Sequence, residues 1–240
     1  MRPVMHGVLY RGGVQRPTGL QMDIPLSAEA LITLCEEGFG TALYLPSRFF
    51  YPNNAMLYHD ARVNLDEMTG IVSATCLTRT DGEKNTLTYY RLPAHEDNFR
   101  QFEELLYDAM QPNGQPIYAH CRGGMHRAGL VSAISLVQYC GLDSTPYLTE
   151  DGNVQTDTFG GELSDASTYW LNNAGTILYE PRDPKNDKYD EEANEWFNVK
   201  MSQINSFDLY PDLTISSELK EAICPSPDPV DPENKRHFED

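Results

Sequence analysis

The chain has 240 residues, and 40% of them are hydrophobic, so it is long enough to bury a sizeable core. It carries 36 acidic and 18 basic residues, a formal net charge of -18, which argues against nucleic acid and anionic membranes as partners of the whole surface. No apolar stretch approaches the length of a membrane span, so we predict no membrane insertion.

Strands and helices alternate along the first 140 residues of the predicted structure. Their assignment depends on apolar periodicity, on helix-capping residues and on Gly and Pro breaks. In chain order we predict a strand at 8–13, a helix at 28–37 capped by Ser27, a strand at 41–45, a loop at 47–64, a strand at 86–92, a helix at 99–110, a strand at 116–119 and a buried helix at 128–139. This order predicts the α/β class, with a layered architecture and a largely parallel sheet.

Later elements are predicted by weaker patterns. Ser164 can cap a helix over residues 165–173, and apolar residues recur at helical spacing over 193–204. Residues 209–240 form an acidic, Pro-rich tail whose end we predict to be disordered.

The five cysteines are scattered, odd in number and form no CxxC pair, so the sequence predicts no disulfide framework. Together with an N-terminus that lacks an apolar signal core, this favours a reducing, cytoplasmic location.

The chemistry concentrates in residues 117–130, which read Ile-Tyr-Ala-His-Cys-Arg-Gly-Gly-Met-His-Arg-Ala-Gly-Leu. Cys121 ends a short apolar strand, a glycine-containing loop follows, and Arg127 closes the loop at the start of a helix. A helix N-terminus and neighbouring cations lower the pKa of a thiol, so this position favours the nucleophilic thiolate.

The same loop suits a phosphate dianion. Its backbone N–H groups can turn inward as an anion-binding nest, and the planar guanidinium of Arg127 can hold two phosphate oxygens. The candidate phosphate-binding residues are Arg122, Gly123, Gly124, Met125, His126 and Arg127.

The sequence from His120 to Arg127 resembles the HCx5R signature of cysteine-dependent protein tyrosine and dual-specificity phosphatases. Its ending, Gly-x-His-Arg-x-Gly over residues 124–129, is most similar to atypical dual-specificity phosphatases of the plant-and-fungal kind. The resemblance implies that Cys121 is the nucleophile, that Arg127 stabilises the transition state, and that His120 orients the loop. It implies a central, mostly parallel sheet flanked by helices in the three-layer architecture of phosphotyrosine phosphatases. It also implies a phosphatase domain over 1–208 that has its core at 8–140 and completing helices at 141–208.

The resemblance also implies a general acid on a separate, upstream loop. Related phosphatases often carry Ile-Pro-x-x-Asp there, and matching on Pro93 places Glu96 in the acid position with Asp97 beside it. His95 is a third candidate. The other interpretation is structural, with Asp97 or Asn98 serving only to cap the following helix.

Several alternatives stay open. Ala128 stands where most of the family has Ser or Thr, a hydroxyl that helps the cysteine leave, so breakdown of a phosphocysteine should be slower. Phosphoprotein and inositol phosphate are both possible substrates. A non-catalytic module that binds phosphorylated ligands and a rhodanese-like thiol enzyme are the competing functions. The histidines show no ligand spacing, so we predict neither a metal nor a cofactor, and the sequence does not indicate an oligomeric state.

Overall fold

The computed structural model describes residues 1–13, 25–46, 58, 60–124, 126–157, 160–174 and 198–225. Within these ranges we number strands and helices in chain order. They are β1 (Arg2–Met5), β2 (Leu9–Gly13), α1 (Ala28–Glu36), β3 (Thr41–Tyr44), β4 (Val63–Leu65), β5 (Val72–Leu77), β6 (Lys84–Arg91), α2 (Glu96–Ala109), β7 (Ile117–Cys121), α3 (His126–Ser135), α4 (Asp165–Ala174), α5 (198–205) and α6 (Ser217–Ile223).

The seven strands form one mixed sheet in the order β1-β2-β7-β3-β6-β5-β4. The four central strands, β2, β7, β3 and β6, are parallel, whereas β1, β5 and β4 pair antiparallel at the two sides. Because parallel strands end at the same edge, the central four deliver their carboxyl ends side by side.

Helices cover both faces of the sheet, which gives three layers. One apolar cluster joins α1 to a sheet face that includes Tyr44, Leu87 and Tyr118. A second cluster joins the opposite face to apolar side chains of α2, α3, α4, α5 and α6. Strand β7 is buried along its whole length, as expected for a central strand covered on both faces. The predicted α/β class and its mostly parallel centre are confirmed.

The predicted strands and helices of the first 140 residues are present, with two kinds of difference. Strands β1, β4 and β5 were not predicted, because the first two are short and β5 carries few large apolar residues in an otherwise polar stretch. Helix α2 begins at Glu96, three residues before the predicted start, because His95 caps it by accepting the Asp97 backbone N–H at 3.4 Å. The assignment of the cap to Asp97 or Asn98 was therefore wrong.

The predicted loop at 47–64 falls mostly outside the described residues, as does the first part of the helix predicted at 193–204. Among the helices that are described, none combines the length and the apolar character needed to cross a membrane.

Four of the five cysteines form two disulfides, contrary to the sequence-based expectation. Cys35 of α1 is bonded to Cys76 of β5, and Cys140 at the end of the helical segment after α3 is bonded to Cys224. Cys121 alone stays a thiol. The pairs are 41 and 84 residues apart, so no local spacing indicated them.

The Cys140–Cys224 bond also anchors residues that the sequence assigned to the acidic tail. Leu213 and Ile223 are buried in the same core as α3, and α6 lies between Leu213 and Cys224 in sequence. Packed structure therefore continues past residue 209, the predicted start of the tail, and the predicted disorder concerns residues 226–240, which are not described.

A buried carboxyl group lies between α2 and α3. Glu103 is fully buried, its Oε1 lies 2.9 Å from the Ser135 hydroxyl, and its Oε2 has no hydrogen-bond partner among the described residues. The Ser135 hydroxyl has one proton, which it can donate to Glu103 Oε1 or to the Val131 carbonyl at 2.8 Å. Burial raises the pKa of Glu103 well above its usual value and so favours the protonated acid, whereas the Ser135 hydrogen bond acts weakly in the opposite direction.

We expect Glu103→Met to stabilise the protein at neutral and alkaline pH by about 1–3 kcal/mol, because it removes a buried polar group that lacks a partner. The raised pKa of Glu103 means that wild-type stability falls as pH rises above 4.5, the ordinary value of a glutamate, towards the folded-state pKa. Urea unfolding at about pH 4 and about pH 8 measures this, and the gain should be larger at the higher pH. Glu104→Met, at the exposed neighbouring position, is the matched control. If Glu103→Met proves less stable than wild type at the higher pH, the assignment is contradicted.

Candidate active site

The candidate site lies at the edge where the four parallel strands end. The registers place Gly13 of β2 beside Cys121 of β7, and Tyr44 of β3 beside both His120 and Arg91. Since neighbouring strands are about 4.8 Å apart, the end of β6 is about 10 Å from the end of β7 across this edge. The cysteine loop and the predicted acid segment therefore start from the same edge of the sheet.

Cys121 is the last residue of β7 and is 1% exposed. The chain bends after it through Arg122, Gly123 and Gly124 and enters α3 at His126. The thiol thus precedes the positive end of a helix by five residues, the arrangement in which backbone N–H groups and the helix dipole favour an anion. Met125, the remaining predicted loop residue, lies outside the described residues.

Close backbone contact with β2 shapes this loop. Gly124 has a φ of 70°, and a Cβ on it would lie 2.3 Å from the Gly12 carbonyl carbon. A Cβ on Gly13 would lie 2.9 Å from the Arg122 carbonyl oxygen. Only glycine fits at such distances, so the glycine pair that ends β2 allows the loop to fold down against that strand.

Arg127 lies in the first turn of α3, half-buried, and its Nη1 donates to the Leu45 carbonyl just beyond β3. Leu45 in turn donates its backbone N–H to the His120 carbonyl at 2.8 Å. The guanidinium is therefore tied to the strand next to the cysteine strand, and this bond fixes the orientation of the plane that carries its five donors.

His120 faces the opposite side of the sheet from Cys121 and is fully buried. Its ring stacks with Tyr44, Tyr89 and Tyr118, at centroid distances of 5.1, 5.7 and 5.9 Å. Its Nε2 lies 2.7 Å from the Tyr89 hydroxyl, which also accepts the Leu26 backbone N–H at 2.9 Å.

His120 is in contact with a buried phenol. Burial raises the pKa of Tyr89 well above its usual value, so this residue keeps its phenolic proton. The Tyr89 hydroxyl and Nε2 of His120 share one hydrogen bond, and the tautomer of the imidazole ring decides which of the two donates. The sequence predicted an orienting role for His120 but did not identify its tyrosine partners.

The predicted acid residues lie in the first turn of α2, and both Glu96 and Asp97 are exposed. His95 Nδ1 is 2.8 Å from the Asp97 carboxylate, so its side chain contacts one candidate acid directly. Potential ligand atoms of His95, Glu96 and Asp97 all lie within 4.8 Å of one another, a cluster that the sequence spacing did not predict. The helix cap accounts for the proximity of His95 and Asp97.

The structure adds supports that the sequence did not identify. Trp170 of α4 is fully buried and donates its indole N–H to the His126 carbonyl at 2.9 Å, which fixes the start of α3 from the outer layer. Arg11 of β2 is 2% exposed and lies beneath the loop, where it contacts the Gly124 carbonyl. Ala128, which stands where the related phosphatases carry Ser or Thr, is fully buried in the first turn of α3.

No protein-family model matches this sequence, and no curated protein matches it. Among solved structures, the chain is similar to the Trypanosoma brucei protein tyrosine phosphatase TbPTP1, with 12% identity, 45% of this chain and 50% of that chain covered, and a TM-score of 0.28. The Trypanosoma cruzi protein tyrosine phosphatase TcPTP1 gives 13% identity, coverage of 45% and 48%, and a TM-score of 0.26. PTPN18 in complex with HER2-pY1248 phosphopeptides gives 11% identity, coverage of 71% and 65%, and a TM-score of 0.34. The matched region spans about half to two thirds of the length of these structures.

Proposed function

We propose that the protein is a cysteine-dependent phosphatase that hydrolyses phosphomonoesters through a phosphocysteine intermediate. The observation that carries this proposal is the placement of Cys121, a thiol outside both disulfides, at the end of a central parallel strand and before the N-terminus of α3. Arg127, anchored on Leu45, lies in the first turn of the same helix.

In the proposed reaction the Cys121 thiolate attacks phosphorus as the bond to the leaving oxygen breaks, and a carboxylic acid protonates that oxygen. Water then attacks the phosphocysteine, the sulfur–phosphorus bond breaks, and the carboxylate takes the proton from water. Arg127 and the loop N–H groups stabilise the charge on the equatorial oxygens in both steps. This chemistry needs neither a metal nor a cofactor.

We assign the acid to Glu96 or Asp97, and the contacts favour Glu96. The Asp97 carboxylate lies 2.8 Å from His95 Nδ1, and the two form an ion pair when the imidazole is protonated. Both residues follow β6, whose end adjoins β3 and so approaches the cysteine loop.

Phosphorylated protein, with phosphotyrosine first and dual specificity as the wider possibility, is our preferred substrate class. PTPN18 is a neighbour whose structure contains phosphotyrosine peptides. Inositol phosphates and phosphoinositides are the second class, because the loop adds Arg122 and His126 to the charge of Arg127 but contains no lysine. The plant-and-fungal type of dual-specificity phosphatase remains the subfamily that the loop sequence favours.

The test is a substrate panel of phosphotyrosine and phosphoserine peptides, phosphoinositides and inositol polyphosphates. We expect phosphate release from the first of these, and loss of all release in Cys121→Ser. Retention of activity in that variant would reject the mechanism. Binding of the same compounds without release by the wild type would support the non-catalytic module instead, and sulfur transfer from thiosulfate would support a rhodanese-like enzyme.

The location of the protein is a separate part of the proposal. The cytoplasmic location was predicted from the cysteine pattern together with the N-terminus, and the two disulfides remove the first of these grounds. Disulfides persist in oxidising compartments, so the two bonds favour such a compartment for the folded protein.

A further inference from the structure

The feature that carries a further inference is a buried arginine beneath the cysteine loop. Arg11 lies on β2, two residues before Gly13, and is 2% exposed. Its neighbour in the β2–β7 register is Ala119, two residues before Cys121. Because side chains two apart on a strand point to one face, Arg11 lies on the same side of the sheet as Cys121 and α3.

The guanidinium of Arg11 contacts the loop and the helix that follows it. Its Nη1 donates to the Gly124 carbonyl at 3.4 Å. A Cβ on Gly129 would lie 3.2 Å from the same Nη1 and 3.2 Å from the Trp170 ring. Because Gly129 has no side chain, there is room for the Arg11 guanidinium. It lies between the cysteine loop, α3 and α4.

Other charged and titratable groups surround this position. Tyr169 of α4 is partly buried, and burial raises its pKa although the charges of Arg11 and Arg2 act in the opposite direction. Arg2 is the cross-strand neighbour of Arg11 in the β1–β2 register. On β7 the nearest ionisable side chain on the same face is Cys121.

We propose that Arg11 is a positioning residue of the phosphate-binding loop. By holding the Gly124 carbonyl from below, its guanidinium turns that carbonyl away from the bound anion, and its buried charge adds to the attraction for a phosphate or a thiolate. This inference rests on the proposed phosphatase function, but it concerns a residue that does not touch the substrate.

The physical reason is the orientation of the peptide units in the loop. A loop that binds an anion directs its N–H groups inward, so the carbonyl groups of the same peptides need donors on the outside. A buried carbonyl without a donor is costly, and a charged donor gives a stronger bond than a neutral one. Arg11 supplies such a donor at Gly124, and Trp170 supplies a neutral donor at His126.

The test uses alkylation of Cys121 by iodoacetamide, with inorganic phosphate as the protecting ligand. Cys121 is the only cysteine outside a disulfide, so the reaction reports on one thiol and needs no catalytic turnover. We compare wild type with Arg11→Met, which removes charge and donors, and with Arg11→Lys, which keeps the charge but not the planar fork. Arg62→Met is the control, since it removes one charge from an exposed arginine whose side chain is 52% accessible.

In Arg11→Met we expect slower alkylation of Cys121 at a fixed pH, because a buried positive charge beneath the loop is removed. The phosphate concentration that gives half-protection should rise roughly tenfold or more, the change for one lost charge-assisted bond. Arg11→Lys should keep the alkylation rate near that of wild type but still weaken protection by phosphate, because one ammonium cannot replace the oriented fork.

A role limited to folding would lower the melting temperature and leave both readouts unchanged, which would overturn the inference. If Arg11→Met does not fold, Arg11→Lys decides, and unchanged phosphate protection in that variant overturns the inference. Absence of phosphate protection in the wild type would reject the phosphate site itself, and the inference with it, so the two failures are distinguishable.

Discussion

Replacing Arg127 by lysine should lower kcat of phosphate release by about 10³-fold, the scale of effect produced by removal of a transition-state donor or arginine. Arg127 is anchored by its bond to the Leu45 carbonyl, which sets the guanidinium plane at the end of β3. Lysine keeps the charge but has no planar fork, so it cannot both hold this carbonyl and bind two phosphate oxygens. The loss should therefore appear mainly in the transition state.

Steady-state kinetics with a phosphotyrosine peptide measures this effect. If the interaction forms chiefly in the transition state, kcat falls far more than KM changes. Arg79→Lys is the matched control, because Arg79 is an exposed arginine that pairs with Glu36 and Glu37 away from the site. A loss of less than about tenfold in Arg127→Lys would remove Arg127 from the role proposed for it.

Reduction of the two disulfides should destabilise the protein by several kcal/mol. In the chain-entropy account, a cross-link across 41 residues contributes about 4 kcal/mol and one across 84 residues about 4.5 kcal/mol. Natural domains have only about 5–15 kcal/mol of net stability, so losing both bonds would remove a large share of it. The Cys140–Cys224 bond also ties α6 to the end of the helical segment that starts with α3, so its loss should loosen the C-terminal part first.

Thermal unfolding of protein purified without reductant, with and without dithiothreitol, measures the combined effect. Cys140→Ser combined with Cys224→Ser removes one bond and should lower the midpoint by roughly 10 °C. Thiol titration of the denatured, unreduced protein should find Cys121 alone, because the other four cysteines are paired. Titration of all the cysteines as thiols, or equal midpoints with and without reductant, would contradict the two assigned bonds.

The loop is the part of the site that the sequence predicted best, because its determinants are local. Residues 117–130 contain all of them: an apolar strand, a cysteine, two glycines and an arginine at the start of a helix. Local backbone geometry links these features. Helix α1 was predicted for the same reason, since Ser27 caps it within its own first turn. The acid segment was predicted less well, because the choice among His95, Asp97 and Asn98 as cap depends on small differences in local hydrogen bonding.

What the sequence by itself determined is the order of the central strands and helices in the chain and the position of Cys121 and Arg127 on either side of the turn from β7 into α3. Only the tertiary structure decided the two disulfides, the tyrosine cluster around His120 and the burial of Arg11. Each of these joins residues that are far apart in the chain, such as Arg11 and Gly124, or Tyr89 and His120. A sequence pattern records periodicity and capping along the chain, whereas these contacts depend on how strands align across the sheet, and one sequence contains no direct signal of that alignment.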